Sequence, residues 1–126
     1  MTIIGSLPNL EVLKLSSNAF VGSEWNPIEG EFLRLKFLLL SNIDLVKWRA
    51  EHIPFPSLET LELRRMYSLK EIPKSFGEIA TLRLIHLVRT YGVRDSAKEI
   101  LLEQESFGND GLQVHVTDGK GRTYQL

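Results

Sequence analysis

Few residues of this 126-residue chain are equipped for catalysis, and their spacing does not gather them. The three histidines, His52, His86 and His115, are far apart, so no metal-spaced pair exists. There is no cysteine, which removes a thiol nucleophile, an iron–sulfur cluster, a cysteine zinc site and a disulfide framework together. Neither an H-E-x-x-H pair nor a G-x-S-x-G turn occurs. The carboxylates Glu59 and Glu62 neighbour Arg64 and Arg65, a setting for salt bridges rather than for an acid of raised pKa. His86 has the type of a general base, but nothing beside it marks a nucleophile, and a surface histidine is the simpler reading. No G-x-x-x-x-G-K-[ST] phosphate loop is present, so ATP is not bound by that route. The expectation is a protein that binds rather than catalyses, with no catalytic residue, cofactor or metal.

Composition narrows what it binds. Lys and Arg number 15 against 16 Asp and Glu, a formal net charge of -1, with no basic excess to argue for nucleic acid or a membrane surface. The longest apolar runs, such as Phe37-Leu38-Leu39-Leu40, are too short to span a bilayer. Met1-Thr2-Ile3-Ile4-Gly5 lacks the basic and apolar regions of a signal peptide, so the chain is expected in the cytoplasm. A chain of this length makes one domain with a modest core.

The elements that would position a binding surface are written in a repeat. Apolar residues fall at Leu7, Leu10, Leu13 and Leu15, a spacing of L-x-x-L-x-x-L-x-L. The spacing returns at Phe32, Leu35, Leu38, Leu40, at Phe55, Leu58, Leu61, Leu63, and at Ile79, Leu82, Ile85, Leu87. From Leu10 to Leu35, Leu58 and Leu82 the steps are 25, 23 and 24 residues, within the leucine-rich-repeat range. At 43% apolar composition, sixteen chance matches have a probability of roughly one in a million. A few-hundredfold allowance for the choice of frame still excludes accident.

Four amphipathic helices are the alternative, since steps of three suit a helix face. The closing L-x-L does not, because residues two apart share a face only in a strand. Breakers also separate the frames: Gly22 and Pro27, Pro54 and Pro56, Pro73 and Gly77. Each frame therefore predicts a short parallel strand that buries its L-x-L pair, such as Leu61 and Leu63, and turns Glu62 and Arg64 to solvent. Asn18 stands where such repeats place an asparagine that bonds the backbone of the turn, but Ile43, Met66 and Thr90 take that place later, and Asn42 is one residue out of register. The return segments carry their own apolar anchors: Phe20, Trp25 and Ile28; Leu45, Trp48 and Ile53; Leu69, Ile72 and Phe76.

The fourth unit ends differently. Asp95 can cap a helix over Ser96 to Glu105, with Ala97, Ile100, Leu101, Gln104 and Phe107 on one face. Gly108-Asn109-Asp110-Gly111 stops it, and Leu112, Val114 and Val116 alternate as a strand. The predicted architecture is an α/β leucine-rich-repeat solenoid with short parallel strands on its concave face. It comprises four repeats over 1–92, a C-terminal helix and strand cap over 93–116, and a tail over 117–126. Residues 118–126 read as a loose tail in preference to a small hairpin. Residues 1–6 offer no cap for the first repeat, which would leave edges of Leu10, Leu13 and Leu15 to water. The expectation is the last part of a longer solenoid or a truncated product of one.

Three patterned runs carry a resemblance: Phe55-Pro56-Ser57-Leu58-Glu59-Thr60-Leu61-Glu62-Leu63, Leu69-Lys70-Glu71-Ile72-Pro73, and Gly108-Asn109-Asp110-Gly111-Leu112-Gln113-Val114. With Leu45, Trp48, Phe76-Gly77 and Ser96-Ala97 around them, residues 7–116 resemble the C-terminal leucine-rich repeats of plant intracellular immune receptors. The likeness is to the nightshade coiled-coil nucleotide-binding type, late-blight-resistance-like proteins included. Met66 departs from it, standing where such repeats often have cysteine. The resemblance implies a protein–protein interaction module that recognises a pathogen effector or holds a nucleotide switch off, with the receptor's own nucleotide-binding domain or the effector as partner.

The candidate binding surface comprises the residues flanking each strand: Glu11, Val12, Lys14, Ser16; Lys36, Phe37, Leu39, Ser41; Glu59, Thr60, Glu62, Arg64, Arg65; and Arg83, Leu84, His86, Val88, Arg89. Lys14, Lys36, Arg64, Arg65, Arg83, His86 and Arg89 make it mostly basic, and Phe37, Leu39 and Leu84 put apolar groups where solvent is expected. It reads either as a solvated face with ordinary cross-strand charge pairs or as a protein-binding face. Without aromatic interleaving the basic residues do not read as a nucleic-acid site. A stand-alone or extracellular leucine-rich-repeat binding protein is the other class, disfavoured by the absence of cysteines and of N-x-[ST] sites. Since burying one framework leucine is worth roughly 1.5–3 kcal/mol, Leu61→Asp is expected to remove a large part of a total stability near 5–15 kcal/mol, read from a urea unfolding curve.

Overall fold

The computed structural model describes residues 9–16, 24–25, 32–50, 52–53 and 55–126. Leu7, Asn18, Phe20, Gly22, Pro27, Ile28, Pro54 and residues 1–6, on which the expectation of a missing cap rests, lie outside the described residues. In chain order the strands are β1 (Val12–Leu15), β2 (Glu24–Trp25), β3 (Phe37–Ser41), β4 (Lys47–Trp48), β5 (Thr60–Arg64), β6 (Leu84–Val88), β7 (Gln113–Thr117) and β8 (Thr123–Gln125). One α-helix, α1 (Arg94–Ser106), and a short 3-10 helix over Lys74–Glu78 complete them.

The fold is mixed α/β. Strands β1, β3, β5, β6 and β7 lie side by side in that order, each parallel to the next, and β8 pairs antiparallel outside β7. Strands β2 and β4 form a separate parallel pair. Register is set by the leucines: Leu13, Leu38, Leu61, Ile85 and Val114 align across the sheet, as do Leu15, Leu40, Leu63, Leu87 and Val116. Every framework residue from Leu13 to Leu87 is buried. Leu13 and Leu15 keep 7% and 8% exposure where Leu61 and Leu63 keep 0%, and Leu10 is half-buried. The opening L-x-x-L of the second, third and fourth frames is a tight turn. Leu35, Leu58 and Leu82 each donate an N–H to the carbonyl three residues back, on Phe32, Phe55 and Ile79, which turns both ends of the spacing inward. Helical spacing and strand spacing thus meet in one unit, and the framework residues are not helix faces.

Behind the leucines runs a second buried layer of rings. Trp25 stacks on Trp48 at 5.5 Å, and Phe32, Phe55 and Phe76 meet edge to face at 5.4 and 5.9 Å. Leu45, Leu69 and Ile72 are buried with them, whereas the expected anchor Ile53 is 39% exposed. The asparagine place is filled in two ways. Ile43 and Met66 turn into the core, and the Thr90 hydroxyl does the polar work: it accepts the Met66 N–H at 3.2 Å and lies 3.1 Å from the Leu63 carbonyl.

Helix α1 occupies the return segment after β6. It starts one residue before the expected cap: Val93 precedes it without a side-chain cap, and Asp95 sits in its first turn, where a carboxylate suits the positive end of the helix. Ser96 bonds both the N–H and the carbonyl of Ile72, one unit back. Gln104, 2% exposed, donates to the Phe76 and Ile79 carbonyls at 2.9 and 2.8 Å and accepts from Asn109 at 2.7 Å. Phe107 does not join the buried face. It lies past the last helical residue and is 69% exposed. Gly108 then takes a φ of +87° and ends the helix.

The strand over Gln113–Thr117 continues the parallel register of β6. One expectation is corrected beyond the helix. Residues 117–126 are a hairpin rather than a loose tail. Asp118 makes it: its carboxylate accepts the N–H groups of Lys120 and Arg122 at 2.8 and 3.0 Å and the Arg122 guanidinium at 3.0 Å. Leu126 then packs against the core and donates to the Val114 carbonyl.

Thr90→Val keeps the shape but strands the buried Met66 N–H, so a loss of about 1–3 kcal/mol is expected, measured by urea unfolding. The backbone N–H of Arg122 and then that of Lys120 hold the Asp118 carboxyl below its ordinary value. A depressed carboxylate contributes fully at neutral pH and is lost as pH falls through its folded value. The amides of Lys120 and Arg122 are therefore expected to lose hydrogen-exchange protection in acid before those of β6 do.

Candidate protein-binding face

The side of the sheet opposite the leucines is built in rows, because parallel strands in register stack like positions about 5 Å apart. At the strand entries stand Glu11, Lys36, Glu59 and Arg83, joined by backbone bonds of 2.8 to 2.9 Å from each N–H to the preceding carbonyl. Their charges alternate, and Lys36 Nζ meets Glu11 Oε1 at 3.1 Å. The next row is Val12, Phe37, Thr60, Leu84 and Gln113. Phe37, Leu39 and Leu84 are half-buried, and the Lys14 ammonium lies 5.9 Å from the Phe37 ring centre.

The middle row runs Lys14, Leu39, Glu62, His86 and His115. Glu62 is more covered than a solvent-facing residue should be, at 14% side-chain exposure. Arg64 Nε donates to its Oε2, and His86 Nδ1 lies 3.3 Å from its Oε1. On its other side His86 Nε2 is 2.8 Å from the Thr117 hydroxyl, which is 2.8 Å from that of Thr123. A neutral His86 that donates from Nδ1 to Glu62 and accepts at Nε2 from Thr117 satisfies this chain. Hydroxyl, imidazole and carboxylate follow the order of a nucleophilic triad. Glu62 is already engaged by Arg64, however, and Thr117 lies in a strand paired on both sides.

Arg65 and Arg89 stand apart from the other expected residues. They fall just after β5 and β6, at bends where φ is +51° and +50°. Asn42, after β3, shares the position with φ of +54°. Asn42, Arg65 and Arg89 donate their N–H groups to Arg64, Val88 and Thr117 of the neighbouring strand. The face therefore brings together Lys14, Lys36, Phe37, Leu39, Glu62, Arg64, Arg83, Leu84 and His86, and places Arg65 and Arg89 at its rim. The sequence reading missed Gln113, His115 and Thr117, which extend the face by one strand. The alternation at Val114 and Val116 was their signal. Among the described residues no cluster of three or more histidines and carboxylates is placed to hold a metal, and no helix is long and apolar enough to cross a membrane.

No protein-family model matches the chain. Its similarity is to individual resistance proteins. It is 43% identical over 123 residues to a late blight resistance protein homolog of Solanum demissum, a match that takes in 95% of this chain and 9% of that protein. A second homolog from the same species, R1B-13, is 39% identical over 99 residues, 77% of this chain and 9% of its own length. The similarity is to a short stretch of much longer disease-resistance proteins. More narrowly, nearly the whole chain is homologous to part of the late blight resistance protein homologs of Solanum demissum. Late blight resistance protein R1-A, also from Solanum demissum, is 42% identical over 80 residues, which are 63% of this chain and 6% of that protein. The chain spans about a tenth of the length of the curated relatives it matches.

Proposed function

We propose that this chain is a leucine-rich-repeat solenoid that binds protein within a plant disease-resistance protein and has no catalytic activity of its own. The observation that carries the reading is 43% identity over nearly the whole chain to a late blight resistance homolog. The rows of alternating charge and half-buried apolar groups support it, since polar rims around apolar anchors are how protein interfaces are composed. On this reading the sheet is the concave face of the coil. It contacts either the nucleotide-binding domain of its own receptor, holding the switch off, or a pathogen effector. The protein works in the cytoplasm, where both partners would be met.

The test is charge reversal on the face in the full-length resistance protein: Lys36→Glu, Arg64→Glu and Arg83→Glu together. All three side chains point away from the leucine core, so folding should be spared. The expected result is cell death without pathogen, if the face restrains the switch, or loss of the response to the effector, if it recognises one. A triple variant that stays silent at rest and responds like the parent would remove this face from the mechanism.

A further inference from the structure

Lys36 and Arg64 on the sheet face are paired to carboxylates, and, among the described residues, the arginines at its rim are not. Glu11 holds Lys36, Glu62 holds Arg64 and His86, and Lys14 covers Phe37. At the strand ends, by contrast, Arg65 has no carboxylate partner among the described residues, and the one bond of the Arg89 side chain is to the Gly119 carbonyl at 3.2 Å. The two arginines occupy the same position in successive units, one strand spacing apart, about 5 Å, with the Arg65 N–H bonded to the residue before Arg89. Each is held at a φ near +50°, a conformation that a long side chain rarely adopts and that persists only where the surroundings impose it. Two residues further on, Tyr67 and Tyr91 also repeat, 60% and 52% exposed.

We propose that this Arg-x-Tyr edge, Arg65 with Tyr67 and Arg89 with Tyr91, is a docking site for an acidic segment of a protein partner. The proposal rests on the binding-module reading above and places the contact at the rim of the sheet. A carboxylate seated between the two guanidiniums relieves their mutual repulsion and takes paired N–H donors. The two phenol rings offer a rigid apolar floor beside it, and arginine and tyrosine are, with tryptophan, the residue types enriched at interface hot spots. A protein segment fits better than a polyanion. The whole chain carries a net charge of -1, and Asp44, bonded to Ser68 at 2.6 Å, closes the cationic strip beside Tyr67. A short acidic stretch meets only the arginine pair, while a long phosphate backbone would run onto the acidic flank.

The test uses a hexaglutamate peptide as probe and amide chemical shifts of the purified chain as readout. Signals of residues 65–67 and 89–91 are expected to move on titration, less so as salt is raised. The double variant Arg65→Gly with Arg89→Gly removes both guanidiniums while glycine adopts the same φ freely, so the fold is kept and the affinity should fall at least fivefold. Lys74→Ser with Lys98→Ser, equal in charge lost but behind the sheet, should leave it within twofold. Equal losses from both doubles, or shifts that map to Lys36, Arg64 and Arg83, would overturn the edge assignment and leave the binding-module reading to the charge-reversal test. Tighter binding to a ten-residue oligothymidylate or to phosphatidylserine vesicles than to the peptide would overturn the choice of partner.

Discussion

Leucine stacked on leucine at the spacing of parallel strands is the interaction on which the rest of the molecule hangs. Each L-x-L pair after the first is covered by the pair before it and the pair after it, so burial is shared between neighbours and no unit closes its core alone. A strand's faces alternate residue by residue. Fixing the leucines inward therefore fixes Glu62, His86 and Lys14 outward in one row, without further instruction. The face is a by-product of the core. Its chemistry is free to vary while its geometry is not.

The polar groups that the ladder leaves over are settled locally. Thr90 satisfies Met66, Ser96 satisfies Ile72, and Gln104 ties two carbonyls behind the 3-10 helix. These are single side chains reaching across one unit, 24 to 28 residues in sequence. Each replaces a backbone partner that an irregular return segment cannot supply. Isolated bonds of this kind are worth little when made and much when broken, because the group left behind is buried.

The fold was legible where the physics is local. Sixteen apolar positions at a constant spacing announced the strands, and the side-chain period of two told strand from helix at Leu61 and Leu63. The fifth strand was seen as a strand, but its place was hidden. Val114 follows Ile85 by 29 residues instead of about 24 and lacks the preceding L-x-x-L. The hairpin was hidden too, since the choice between tail and strand turns on three bonds to one carboxylate, Asp118. At the face, the row residues were legible from alternation alone. The link from Glu62 through His86 to Thr117 was not, because 31 residues separate the histidine from the threonine. Nor were the left-handed bends: Asn42 is a residue type that favours them, but arginine gives no such sign at 65 and 89.

The steps between aligned strand positions are 25, 23, 24 and 29 residues from Leu13 to Leu38, Leu61, Ile85 and Val114, and yet the alignment never slips. All the variation in length is absorbed by the return segments. A 3-10 turn is exchanged for a 13-residue helix between one unit and the next at no cost to the strands. Insertions and deletions behind the sheet are therefore structurally cheap, whereas one residue gained or lost inside a strand would invert every side chain after it. A lineage of such genes can lengthen, shorten and recombine its units at the back while the sheet face in front keeps its spacing and changes only by substitution.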